Sequence, residues 1–174
     1  MAGGQATTVF FSVAVPSPGR HVVAANELDA ELVVWKIQRP ANGKILVNKI
    51  SGGQGRLTIR NGDDRDAVVV LAGSSSPSKT LLAVYVRNHN SRTINGIRDG
   101  TYVVYFRLGA RWDSYSKAFT RSQELRRFEE TMHFKTTRTS TRITHSVWTI
   151  SLHQVAGGNA PTDWVGDEEF PTVP

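Results

Sequence analysis

The sequence predicts an all-β fold, an antiparallel β-sandwich of roughly nine to eleven short strands with little helix. Three observations carry that reading. Short runs rich in Val, Ile, Phe, Tyr and Trp present faces of period two, as in Leu82, Val84 and Val86 against Ala83, Tyr85 and Arg87. Clusters of Gly, Pro, Asn, Asp and Ser interrupt these runs about every 8–12 residues. The 174 residues are 39% hydrophobic and 21% charged, enough apolar side chain to bury one core.

The first strand is Thr7 to Val15, closed by Pro16-Ser17-Pro18-Gly19. Residues 26–37 fit either a helix, with Ala25, Leu28, Leu32 and Trp35 near helical spacing, or a strand from about Glu31. The β-rich surroundings favour the strand. Pro40-Ala41-Asn42-Gly43 turns the chain into a short strand, Lys44 to Ile50. Leu57 and Ile59 then share a face, and Asn61-Gly62-Asp63-Asp64 reads as a turn in which Asn-Gly supplies positive φ angles. Asp66 to Leu71 returns with Ala67, Val69 and Leu71 aligned, and Thr80 to Arg87 follows a Gly/Ser/Pro loop. Tyr102 to Leu108 is the next strand. Arg121 to Glu130 has helical composition but only Leu125 and Phe128 as apolar anchors, which predicts one helical turn within a loop. Thr131 to Thr137 and Thr141 to His153 complete the strands. Three regions result: residues 1–50 as N-terminal strands or an assembly arm, 51–156 as the core sandwich, and 157–174 as an acidic tail.

One motif goes beyond composition. Ile94-Asn95-Gly96-Ile97-Arg98-Asp99-Gly100-Thr101-Tyr102 leads into alternating apolar residues, so that Gly100 opens a tight turn and Tyr102 drops its ring into the core. With Gly55 to Asn61 and Ala67 to Leu71, this stretch resembles the carboxypeptidase-regulatory-like, or transthyretin-like, β-sandwich modules. Arg111 to Val155 is similar to β-rich bacterial proteins. The resemblance implies a non-catalytic scaffold of cell-surface, adhesive or appendage proteins, and it carries no functional residue across.

Charge is distributed unevenly. The chain holds 21 Lys and Arg against 15 Asp and Glu, a net charge of +6, and fifteen of the cations are Arg. No Lys or Arg follows Arg142, whereas Asp163, Asp167, Glu168 and Glu169 mark the tail. From Arg87 to Arg142 the local balance is +7, with 12 basic and 5 acidic residues. Such a surface suits an acidic or polyanionic partner. Residues 1–6 lack the positive charge of a secretory signal, and no apolar run reaches the roughly 20 residues of a membrane-spanning helix.

Catalytic and metal-binding patterns are sparse. The absence of Cys removes disulfides, thiolate metal sites and cysteine nucleophiles. There is no Gly-x-Ser-x-Gly, and Gly52-Gly53-Gln54-Gly55 lacks the Lys and helix of a phosphate loop. His145 and His153 lie about 26 Å apart along an extended strand at about 3.3 Å per residue, too far to share a metal. Asp63, Asp64 and Asp66 match no calcium loop, since Arg65 interrupts them. The sequence implies neither a metal nor a cofactor.

Two functional expectations remain. The first is a structural or interaction module that assembles with copies of itself through its ends. Val9, Phe10, Phe11, Val13 and Val15 make a two-sided apolar strand able to exchange with a neighbour, and Trp164 and Phe170 are candidate anchors. The alternative is recognition of an anionic polymer, nucleic acid or glycan by Arg107, Arg111, Trp112, Tyr115, Lys117, Arg121, Arg126 and Arg127, where aromatics interleave with cations.

Overall fold

A computed structural model describes residues 19–25, 28–34, 38–153 and 161–174. Every regular element among them is a strand. The chain divides into two units, 1–37 and 38–174. In the first, β1 (Gly19–Ala25) pairs antiparallel with β2 (Leu28–Val34), with Ala25 opposite Leu28. The strand expected from Glu31 thus starts earlier and has a partner that the sequence reading did not identify. The apolar strand expected at residues 7–15 lies outside the described residues.

The second unit is built on a sheet in the order β14-β9-β8-β5-β6-β3, with β10 also paired to β8. Its strands are β3 (Ile45–Asn48), β5 (Asp66–Gly73), β6 (Ser76–Val86), β8 (Gly100–Asp113), β9 (Ala118–Phe128), β10 (Met132–Phe134) and β14 (Thr162–Trp164). A smaller sheet, β13-β4-β7, comprises β4 (Gly55–Asn61), β7 (Asn90–Ile97) and β13 (Val147–Ser151). A short ribbon pairs β11 (Thr136–Arg138) with β12 (Ile143–His145). The pairings are antiparallel except that β13 runs parallel to β4, placing Trp148 beside Leu57 and Ile150 beside Ile59. A parallel neighbour requires a crossover, and here the chain between β4 and β13 supplies β5, β6, β8, β9 and β10 of the larger sheet.

The two sheets pack face to face. Leu57, Ile59, Ile94 and Ile150 of the smaller sheet meet Val69, Val84, Tyr102 and Phe106 of the larger one in a continuous apolar cluster. Strand β5 is apolar on both faces because both are covered. Ala67, Val69 and Leu71 face the smaller sheet, while Val68, Val70 and Ala72 join a second cluster with Tyr85, Tyr105, Trp112 and Phe170.

Four expectations are corrected here. Residues 121–130 form no helical turn; 121–128 belong to β9, whose Phe119, Leu125 and Phe128 are buried, and 129–130 follow it as a bend. Residues 109–113 extend β8 beyond Leu108, where the sequence places the end of the strand. The strand expected over 141–153 breaks between β12 and β13 at Ser146, whose N–H donates to the Lys135 carbonyl at 3.1 Å. The region boundaries also shift. β3 belongs to the larger sheet, and the tail from Pro161 adds β14 and buries Phe170 and Val173.

The motif at the Asp99-Gly100 turn folds as its residues suggest. Gly100 has φ +157°, and a Cβ there would stand 3.1 Å from the Tyr102 hydroxyl. Tyr102 is 4% exposed, and its hydroxyl donates to the Arg98 carbonyl at 3.0 Å. This is the corner that β-sandwiches make with a tyrosine bonded to backbone a few residues upstream. The Asn61 turn works differently from expectation. Gly62 has no positive φ; Asn61 makes the turn by accepting from the Asp63 N–H while its amide donates to the Arg65 and Val86 carbonyls.

Candidate functional site

The basic and aromatic residues singled out between 107 and 127 fall on the β8–β9 hairpin, and the fold sorts them into three groups. The first is buried. Trp112 is 2% exposed, its ring 5.1 Å from Phe119 and 6.1 Å from Tyr85, so it offers no face to a ligand. Arg107 is also buried; its Nη1 donates to the Lys117 carbonyl at 2.9 Å and its guanidinium lies on the Phe170 ring. These two residues support the hairpin instead of binding through it. Pairing of Trp112 with Phe119 across the hairpin places both rings in the buried cluster of Tyr85 and Tyr105.

The second group is ion-paired. Arg126 donates to Glu124 and to the Thr162 hydroxyl and stacks 4.3 Å over the Trp164 ring. Arg127 donates to Asp163 at 3.1 Å. Both tie β9 to the edge strand β14, where Arg127 pairs with Asp163 and Arg126 with Trp164. Arg127 meets a carboxylate of the tail, and Arg126 meets one on its own strand.

Arg111, Tyr115, Lys117 and Arg121 form the third group, at the hairpin tip. Arg111 and Arg121 are exposed, Lys117 is half-buried, and Tyr115 is 78% exposed. Arg121 pairs with Ala110, and the Thr120 hydroxyl donates to the Arg111 carbonyl, which brings both arginines to one end of the hairpin. The turn is fixed by Asp113, whose two carboxylate oxygens accept from the Tyr115 N–H and the Ser116 hydroxyl, each at 2.9 Å. Those two bonds hold the Asp113 carboxyl below the ordinary aspartate range. The acid nearest the turn is thereby bonded within the turn, and three cations lie at the same end of the hairpin as the exposed Tyr115 ring.

The residues proposed for assembly separate in the same way. Phe170 is 5% exposed and packs edge-on to Tyr105 of its own chain, so it is no external anchor. Trp164 is 66% exposed on β14. Val9, Phe10, Phe11, Val13 and Val15 lie outside the described residues.

Sequence reasoning missed a cleft of about 590 Å³ lined by Asp63, Arg65, Glu124, Arg126 and His153 among others. Arg65 donates to Asp63 at 2.9 Å and to Glu124 at 2.8 Å, and Glu124 accepts from Arg126 as well. Burial raises the Glu124 carboxyl pKa, but the bonds from Arg65 and Arg126 outweigh it and hold the group below its ordinary value. Asp63 is lowered chiefly by its bond to Arg65. Two carboxylates against two guanidiniums make a neutral relay, with neither acid poised to give up or take a proton near neutrality. The Asp63-x-Arg65 spacing hints at the local pair, but nothing in the sequence points to Glu124, far along the chain. Among the described residues no group of three or more His, Asp or Glu is arranged to hold a metal ion, and no helix is long and apolar enough to cross a membrane.

No protein-family model, curated protein or solved structure matches this chain.

Proposed function

We propose that the protein is a non-catalytic binding module that engages an anionic polymer through the β8–β9 hairpin tip. The observation that carries this reading is the tip itself: Arg111, Lys117 and Arg121 at the same end of the hairpin as an exposed Tyr115, on a turn pinned by Asp113. Cations neutralise a polymer backbone and an aromatic ring stacks on its bases or sugar rings, largely irrespective of sequence. A turn already fixed by side-chain bonds loses little freedom when it binds.

Binding to heparin and to single-stranded DNA, measured across a salt series, tests this. Three contacts to single-stranded DNA predict a slope of log K against log salt of about −2. The double variant Arg111→Ala, Arg121→Ala should cut that slope to about a third, and Tyr115→Ala should weaken binding by about tenfold with the slope kept. Binding that is absent, or equal in wild type and double variant, refutes the reading.

A second reading, self-assembly, is supported by Trp164, a large ring 66% exposed on an edge strand. Sedimentation of wild type and Trp164→Ala tests it: a concentration-dependent mass that the variant loses supports assembly through β14, and a constant monomer mass rejects it.

A further inference from the structure

The β8 strand separates the hairpin tip from a different polar cleft at its other end. Fourteen residues, Gly100 to Asp113, at about 3.3 Å each put the two roughly 40 Å apart. This cleft, of about 440 Å³, is lined by Gly52, Gly53, Gln54, Arg98, Asp99, Thr136 and Arg138. Its frame is well tied. The Gly53 N–H donates to the Gly96 carbonyl at 2.8 Å, and the Arg98 N–H donates to the Ile50 carbonyl at 2.9 Å. The Arg98 carbonyl in turn receives the Tyr102 hydroxyl. Asp99 clamps the opposite wall, accepting from the Thr136 N–H at 2.7 Å and the Thr136 hydroxyl at 2.8 Å.

Glycine is required in the floor for two reasons. Gly52 has φ +93°, and a Cβ on Gly53 would run into the Ile97 carbonyl. The guanidinium of Arg98 passes over Gly52. Among the described residues, neither the Arg98 nor the Arg138 guanidinium makes a hydrogen bond or an ion pair. The one carboxylate present has both oxygens already bonded to Thr136, so the cleft holds two guanidiniums against one committed acid.

We propose that this cleft binds a sugar bearing one anionic substituent, a uronate carboxylate or a phosphate or sulfate ester. Guanidinium forks match carboxylate and tetrahedral oxyanions in geometry, and two arginines line the cleft. Its volume exceeds what a bare oxyanion fills and falls in the range of small-molecule sites. The rest of the lining is polar and carries no aromatic or aliphatic side chain beyond the stems of the two arginines. Gln54, the backbone around Gly52 and the unused lone pairs of Asp99 suit hydroxyl groups. The site does not depend on the hairpin reading, because it shares no residue with it.

Titration of the full chain with glucuronate, glucose 6-phosphate, glucose and inorganic phosphate, followed by the backbone amide resonances of Gly52, Gly53, Gln54 and Arg98, provides the test. Glucuronate or glucose 6-phosphate should shift these resonances saturably, at least tenfold more tightly than either glucose or phosphate; which of the two binds tells carboxylate from ester. Arg98→Gln with Arg138→Gln should weaken binding at least tenfold, and Arg111→Ala with Arg121→Ala should leave it unchanged. Arg138→Gln alone, on an exposed ribbon strand, keeps the test valid if the double variant misfolds, and should weaken binding severalfold. The proposal fails if no shift appears at millimolar sugar, if phosphate binds as well as the anionic sugars, or if the arginine variants bind like wild type.

Discussion

The Arg107 guanidinium lies 4.2 Å from the centre of the Phe170 ring, which joins the middle of β8 to the end of the chain. Arg107 is 8% exposed, and its Nε has no hydrogen-bond partner. Burial pushes its pKa down, opposed by the Asp167 carboxylate. The ring face therefore takes much of the place of an anion. Phe170→Ala is expected to cost about 3 kcal/mol by loss of a buried aromatic. Phe170→Leu keeps apolar volume but not the ring face, and should cost about 1 kcal/mol. Urea unfolding checks both, and an unchanged midpoint for the alanine variant would show that the tail adds nothing to the core.

The Tyr102 corner can be separated into its bond and its turn. Tyr102→Phe removes only the hydroxyl donated to the Arg98 carbonyl and should cost about 1 kcal/mol. Gly100→Val forces a branched side chain into φ +157° and against the Tyr102 hydroxyl, so about 2–3 kcal/mol is expected. Thr101→Val, one residue on, should cost under about 1 kcal/mol. Equal melting temperatures for the two valine variants would remove the special role of Gly100.

Much of this architecture was legible where local pattern and tertiary role agree. The alternation in β6 and β8 identified inward residues correctly, with Leu82, Val84, Val104 and Phe106 all in the inter-sheet cluster. It failed where one strand serves two environments. In β9 Glu124 and Arg126 share the face of Phe128, opposite Leu108 and Phe106, while Arg127 shares the face of Leu125. All three charges are held by ion pairs, and the register shifts between Leu108 and Ala110, so no clean alternation survives. The hairpin did have a signal: Asp113-Ser114-Tyr115-Ser116 is a run of turn formers between Trp112 and Phe119, and its Asp caps the turn. Pairing of Arg65 with Glu124, or the placing of Arg98 and Arg138 along one cleft, depends on which strands become neighbours, and single-sequence periodicity carries no information on that.

Gly62 tests a different reason for a glycine. Its φ is not positive, but a Cβ would strike the His153 ring, and its N–H donates to His153 Nδ1 at 3.1 Å. In the wild-type background Gly62→Ala should displace the ring, break this bond and cost about 1 kcal/mol. In a His153→Ala background the obstacle is gone and the backbone is compatible with alanine. The same substitution should then be neutral or stabilising by about 0.5 kcal/mol through the unfolded chain. Additive effects in the cycle would mean that the two residues do not interact.

Acid should weaken the fold through Asp66. Burial raises its carboxyl pKa, but bonds from Arg39 and the Tyr85 hydroxyl, and from the Asn88 N–H at 2.9 Å, together hold it below the ordinary aspartate value. Tyr85 shifts upward, by burial first and then through the same carboxylate, so it stays protonated and donating at neutral pH. A carboxylate whose folded pKa lies below its unfolded value near 3.9 binds fewer protons folded than unfolded. Its stabilisation is complete above about pH 4 and disappears as pH falls through the lower, folded value. Glu124 and Asp63 are lowered too and act in the same direction. Unfolding free energy measured from pH 6 downward should therefore fall below about pH 4. Asp66→Asn should cost about 2 kcal/mol at pH 6, as for lost charged hydrogen bonds, and should lose less than wild type on acidification. The expected result is convergence of the two stability curves at low pH; parallel curves would show that the Asp66 carboxylate is not the group that senses acid.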